Sequence, residues 1–139
     1  MQVQPYLFFD GRSDEAIAFY GKAVGARVQT LIRFKESPQP TEGCGPGEPN
    51  GEKVMHASMM VGESLVNVSD GECRGQPDFR GFSLVLNVKD DGSARQAFEA
   101  LLDGGGETTM PLSATFFASS FGMLRDRFGV HWMVMSPPK

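Results

Sequence analysis

Short apolar runs alternate along this chain with polar segments punctuated by Gly and Pro, and the same order of runs occurs twice. Residues 5–9 (PYLFF) read as a strand, ended by Asp10-Gly11. Ser13 is placed as an N-cap, with Asp14 and Glu15 at the positive end of the helix that follows. Ala16, Ile17, Phe19, Tyr20, Ala23 and Val24 form one helical face, and Gly25 stops it. Strands are expected at 26–34, 53–61 and 64–69, the last two joined by a tight Gly62-Glu63 turn.

The second half repeats the order. Residues 81–88 (GFSLVLNV) read as a strand, Ser93 as an N-cap, and Ala94, Ala97, Phe98, Leu101 and Leu102 as a helical face ending at Gly104-Gly105-Gly106. Strands follow at 107–111, 121–126 and 130–135, with Phe128-Gly129 turning into the last. The class is therefore α+β: a single domain of two βαβββ modules, 1–70 and 81–139, joined by a linker at 71–80, with mostly antiparallel pairing. Residues 36–52 are the clear loop, rich in Pro and Gly. Residues 112–120 form another, where Phe116 and Phe117 either make a lid or pack on the sheet.

Side chains alternate across a strand, so parity sorts the faces. Val54, His56, Ser58 and Met60 share one face; Leu65, Asn67 and Ser69 share another; so do Ser83, Val85 and Asn87, and His131, Met133 and Met135. Phe82, Leu84, Leu86 and Val88 fall opposite, toward the helix. The expectation is one curved surface carrying His56, Ser58, Asn67, Ser69, Ser83, Asn87, His131 and Met133, suited to a small, partly polar organic ligand. The same groups could instead bond one another and water. Either imidazole could serve as acid or base near neutrality, or be a satisfied structural residue. Asp70, after Ser69, either caps a turn or orients a histidine. Arg125, Asp126 and Arg127 read as a solvated charged turn, and Arg33 as a group able to reach an anion.

Composition narrows the class. At 139 residues with 40% apolar content, the chain is long enough for one core, to which eleven Phe and eight Met contribute. A net charge of −4 argues against nucleic acid and anionic lipid as partners. No run approaches the roughly 18 apolar residues of a membrane span, and the N-terminal residues do not read as a signal peptide, so a cytoplasmic location is expected. Cys44 and Cys73 lie in polar segments and read as free loop thiols, a disulfide being the alternative.

Three segments carry a family resemblance: YLFFDGRSDEAIAFYGKAVGARV, KVMHASMMVG and TMPLSATFFASSFGMLRDRFGVHWMV. They resemble the PhnB-like branch of the vicinal oxygen chelate superfamily, whose members often carry the label 3-demethylubiquinone-9 3-methyltransferase. The superfamily also holds glyoxalase I, extradiol dioxygenases, and fosfomycin and bleomycin resistance proteins. The resemblance runs from Tyr6 to Val134 and implies two βαβββ modules curled around a cavity, commonly in a homodimer. One scaffold hosts several chemistries, so it implies no single reaction.

The metalloenzymes of the superfamily hold one divalent ion by His, Glu or Gln on the first and last strand of each module. The matching positions here are Pro5 with Gln4 beside it, Val66 or Asn67, Ser83, and Met133. None is a His or carboxylate, so no metal and no cofactor are expected. The reading is a metal-independent binder of a small molecule, homodimeric. Its rivals are a glyoxalase- or lyase-type enzyme using His56 or His131, perhaps with Asp70, and a drug-sequestering resistance protein.

Overall fold

In the computed structural model, residues 1–37, 51–71, 73, 75 and 77–139 are described. The chain divides into two compact units, Met1–Pro77 and Asp78–Lys139. The loop expected at 36–52 lies largely outside the described residues.

The first unit contains β1 (Tyr6–Phe8), α1 (Ser13–Val24), β2 (Arg27–Arg33), β3 (Val54–Val61) and β4 (Ser64–Ser69). The sheet order is β1-β4-β3-β2, with β1 parallel to β4 and the other pairs antiparallel. Parity explains the burial. Leu7, Ala57, Met59, Val66 and Val68 are buried, as are Ala16, Phe19 and Tyr20 of α1. Gly25 closes the helix at φ 70°, a left-handed conformation that glycine adopts without a Cβ penalty, and the Ala26 N–H returns to the Tyr20 carbonyl at 3.1 Å.

The start of α1 departs from expectation. Arg12 holds the cap position and no side chain of the helix caps it. Instead the buried Asp70 reaches in from beyond β4: its Oδ1 accepts the Gly11 and Ser13 N–H groups, each at 2.9 Å. Its Oδ2 accepts the Val54 N–H at 2.8 Å. Helix N-termini leave backbone donors without intrahelical partners, and a carboxylate satisfies them as Ser would, with favourable charge against the helix dipole.

The second unit contains β5 (Leu84–Asn87), α2 (Asp91–Leu102), β6 (Glu107–Ser113), β7 (Ser120–Arg125) and β8 (His131–Ser136). Its sheet order, β5-β8-β7-β6, repeats the first, again with a single parallel pair, β5 with β8. Among the described residues, two four-stranded mixed sheets with α1 and α2 make the α+β class expected. Asp90 caps α2 by accepting the Ser93 N–H at 2.7 Å, so Ser93 is the donor of the cap and not the cap itself. Gly122 on β7 is required by packing: a Cβ there would stand 2.8 Å from the ring of Phe98 on α2.

Three further expectations are corrected. The turn after β7 is not a solvated cluster, because Asp126 is buried. Its carboxylate accepts the Phe128 N–H at 2.9 Å, the Val130 N–H at 3.1 Å and the Trp132 indole N–H at 2.9 Å. β5 begins at Leu84, three residues late, so strand parity does not govern residues 81–83. Cys73 is disulfide-bonded and not a free thiol; Cys44 lies outside the described residues. Residue type and local polarity report nothing of a through-space approach between segments far apart in sequence.

Candidate functional site

The open sheet face of the first unit is polar with an aromatic edge. Tyr6 lies opposite Asn67, and Asn67 opposite Ser58, so three strands bring these side chains into one row. Phe8 lies opposite Ser69 in the next row. Tyr6 and Phe8 stack with centroids 5.1 Å apart and planes 18° apart, and both are substantially exposed. The Tyr6 hydroxyl lies 2.8 Å from Nδ1 of His56. Partial burial raises the Tyr6 phenol above its ordinary value, which keeps it protonated and able to donate to that nitrogen.

Most of the other predicted residues of this unit have internal partners. The Asn67 amide donates to Gln4 Oε1 at 3.1 Å. The Ser69 hydroxyl accepts the Gly71 N–H at 2.9 Å. Ser58 is buried in the sheet. Asp70 is bound to backbone N–H groups, the turn-making alternative of the two weighed for it. Arg33 chelates Asp14 at 2.8 and 3.0 Å and donates to the Glu52 carbonyl, so its charge is already engaged.

In the second unit the open face forms a groove of about 410 Å³, lined by Gly81, Phe82, Ser83, Val85, His131 and Met133. Of the predicted residues, the structure brings Ser83, His131 and Met133 together in this groove. Asn87 lies further along β5, opposite Met135, and is exposed. Phe82 and Val85 were not among the predicted site residues. Val85 shares the parity of Ser83 and Asn87, a signal that pointed to it. Phe82 had been placed toward the helix by the same rule, and it escapes because residues 81–83 precede the strand. Tyr6 and Phe8 were legible in the same way, as alternate positions of PYLFF.

Two rows cross this sheet. One is apolar: Val85 opposite Met133, Met133 opposite Met123, Met123 opposite Met110. The other is polar: His131 opposite Arg125, and Arg125 opposite Glu107, with which it forms an ion pair. In the loop before β7, Phe117 packs edge-on against Phe121 at 5.1 Å, while Phe116 is fully exposed.

The family model described as 3-demethylubiquinone-9 3-methyltransferase matches residues 1–135. This chain belongs to that family. It is the PhnB-like branch of the vicinal oxygen chelate superfamily, as the motifs implied. Protein YjdN of Escherichia coli (strain K12) is 32% identical over 139 residues, covering 96% of this chain and 94% of that protein. The crystal structure of protein PA1353 from Pseudomonas aeruginosa is 36% identical, with TM-score 0.85, covering 100% of this chain and 99% of that one. A glyoxylase/bleomycin resistance protein/dioxygenase domain from Frankia sp. EAN1pec has the same fold at 15% identity and TM-score 0.60, covering 98% of this chain and 91% of that one.

A divalent ion of the superfamily type does not fit the PhnB-like residues present. The corresponding positions offer two amides, a hydroxyl and a thioether, and the amides of Gln4 and Asn67 already bond each other. Hard divalent ions favour carboxylate oxygens, and zinc or nickel favour imidazole or thiolate. Among the described residues, no group of three or more His, Cys, Asp or Glu is placed to hold an ion. No described helix is long and apolar enough to cross a membrane.

Proposed function

We propose that this PhnB-like protein binds a small, partly polar organic molecule on its open sheet faces without a divalent metal. The observation that carries the reading is the open groove at Phe82, Ser83, Val85, His131 and Met133, where apolar side chains stand beside two hydrogen-bonding groups. Sites for small organic ligands combine a mostly apolar lining with few polar groups, at volumes of roughly 300–1,000 Å³. The donor set described above supports the metal-independent part. His56, Ser58, Asn67, Ser69 and Asn87 belong to the same proposal as polar positions of the two faces. The homodimer implied by the family and the cytoplasmic location expected from the sequence belong to it as well.

The methyltransferase in the family description receives no support from these residues. Binding of a nucleotide-like methyl donor in a Rossmann fold uses a Gly-rich turn between a parallel strand and a helix N-terminus. Here Gly25 and Gly104 to Gly106 follow helices, and each sheet has one parallel pair.

The test is a metal analysis of purified protein beside a thermal-shift screen of organic compounds, with His131→Leu and Met133→Ala as controls. Compounds that stabilise the wild type and not the controls, in protein free of stoichiometric metal, are expected. A tightly held divalent ion at one per chain would sink the proposal. A second reading, an enzyme of the glyoxalase or lyase type, is favoured by the 2.8 Å contact of Tyr6 with His56, which holds one imidazole in a set orientation. Turnover lost in His56→Gln with binding retained is its distinguishing result.

A further inference from the structure

The groove's chemistry is more specific than its size. Met133 lines it with a thioether, and in the sheet Met133 lies opposite Met123 and Met123 opposite Met110. Methionine sulfur makes favourable contacts with aromatic rings and adapts its shape to them. Phe82, 44% exposed, lines the groove with an aromatic ring of the kind that stacks in offset geometry, and Val85, 50% exposed, lies opposite Met133.

No carboxylate, lysine or arginine is among the residues lining the groove. Ser83 and His131 can each donate and accept a hydrogen bond. The nearest cation in the row, Arg125, is paired with Glu107, so its charge is compensated. A carboxylate ligand would have to compete with Glu107 for that guanidinium. A hydroxyl, which also donates and accepts, meets both groups without competition.

Resting on the reading of the groove as a binding site, we infer that its ligand is a hydroxylated aromatic compound. The ring lies on Met133 between Phe82 and Val85, and the hydroxyl is held by Ser83 and His131. This assigns Ser83 and His131 to recognition and Phe82 to stacking.

The full chain, labelled at its methionine methyl groups, is titrated with 2-naphthol, with its fully saturated analogue decahydro-2-naphthol, and with 2-naphthoate. The expected result is an upfield ring-current shift of the Met133 methyl by 2-naphthol, with affinity about tenfold above either competitor. Ser83→Ala and His131→Leu each weaken 2-naphthol about tenfold, with Trp132 fluorescence checking that both variants are folded. Equal binding of the saturated alcohol, or tighter binding of the naphthoate, at Met133 overturns the ligand class and leaves the groove a binding site. If none of the three moves Met133 but an organic compound without an aromatic hydroxyl does, the inference falls alone. If no compound in a broad library moves Met133, the function proposed above falls with it.

Discussion

Ser136 donates its hydroxyl to the carboxylate of Asp91 at 3.0 Å, joining the end of β8 to the start of α2. The first unit makes the same junction with the roles exchanged. Leu7 lies opposite Val68 and Leu86 opposite Val134, and two residues beyond each valine stand Asp70 and Ser136. The helices begin at Ser13 and Asp91. One unit thus carries its acid on the strand end and the other on the helix. In both, a carboxylate ties the last strand to the first turn.

The burial of Asp70 makes this junction costly to disturb. Three backbone N–H groups depend on its carboxylate, and hydrogen bonds to a buried charge are the strong ones. Asp70→Asn is expected to lower unfolding stability by about 3 kcal/mol in urea denaturation. Unchanged stability would count against the junction and return Asp70 to the candidates for catalysis.

Ser13 offers the opposite case. Its N–H is satisfied by Asp70, but its hydroxyl oxygen is buried with no hydrogen-bond partner among the described residues. Removing an unsatisfied buried polar group relieves its desolvation penalty. Ser13→Ala should therefore leave stability unchanged or raise it by up to about 1 kcal/mol. A clear loss in thermal denaturation would contradict this.

Asp91 makes the second junction sensitive to acid. Hydroxyls of Ser119, Ser120 and Ser136 converge on its carboxylate and hold it well below the ordinary aspartate value of 3.8. A depressed folded value means that the ionised form stabilises the fold. That contribution is complete above about pH 3.8 and is lost as pH falls from there toward the folded value. The stability gap between the wild type and Asp91→Asn is expected to be constant from neutrality to pH 5 and to narrow below pH 4, roughly following this linkage. A gap that stays constant down to acid unfolding would refute the assignment.

Trp132 is the single tryptophan and reports directly on Asp126, which accepts its indole N–H. Asp126→Ala leaves that donor and two backbone N–H groups without their acceptor in a buried turn. The expected cost is about 3 kcal/mol, with a changed Trp132 emission in the folded state. An unaltered spectrum would mean that the indole does not depend on this carboxylate.

The sequence by itself determined the element order, the duplication and the helix-facing side of most strands, because these follow from periods of 3.6 and 2 and from glycine punctuation. The parity of 131–135 separated buried Trp132 and Val134 from Met133 in the groove without any contact being known. Tertiary structure decided where each polar group spends its hydrogen bonds. Asp70 and Ser13 are 57 residues apart, and Tyr6 and His56 are 50 apart, so no local pattern joins them. Asp126 looked solvated beside two arginines, yet folding turned its carboxylate inward to the indole and two backbone donors. Phe82 reached the groove because the strand began late, at Leu84. Periodicity is written residue by residue, whereas partners are chosen by which strands pair, and the parallel pairs β1 with β4 and β5 with β8 join segments remote in sequence.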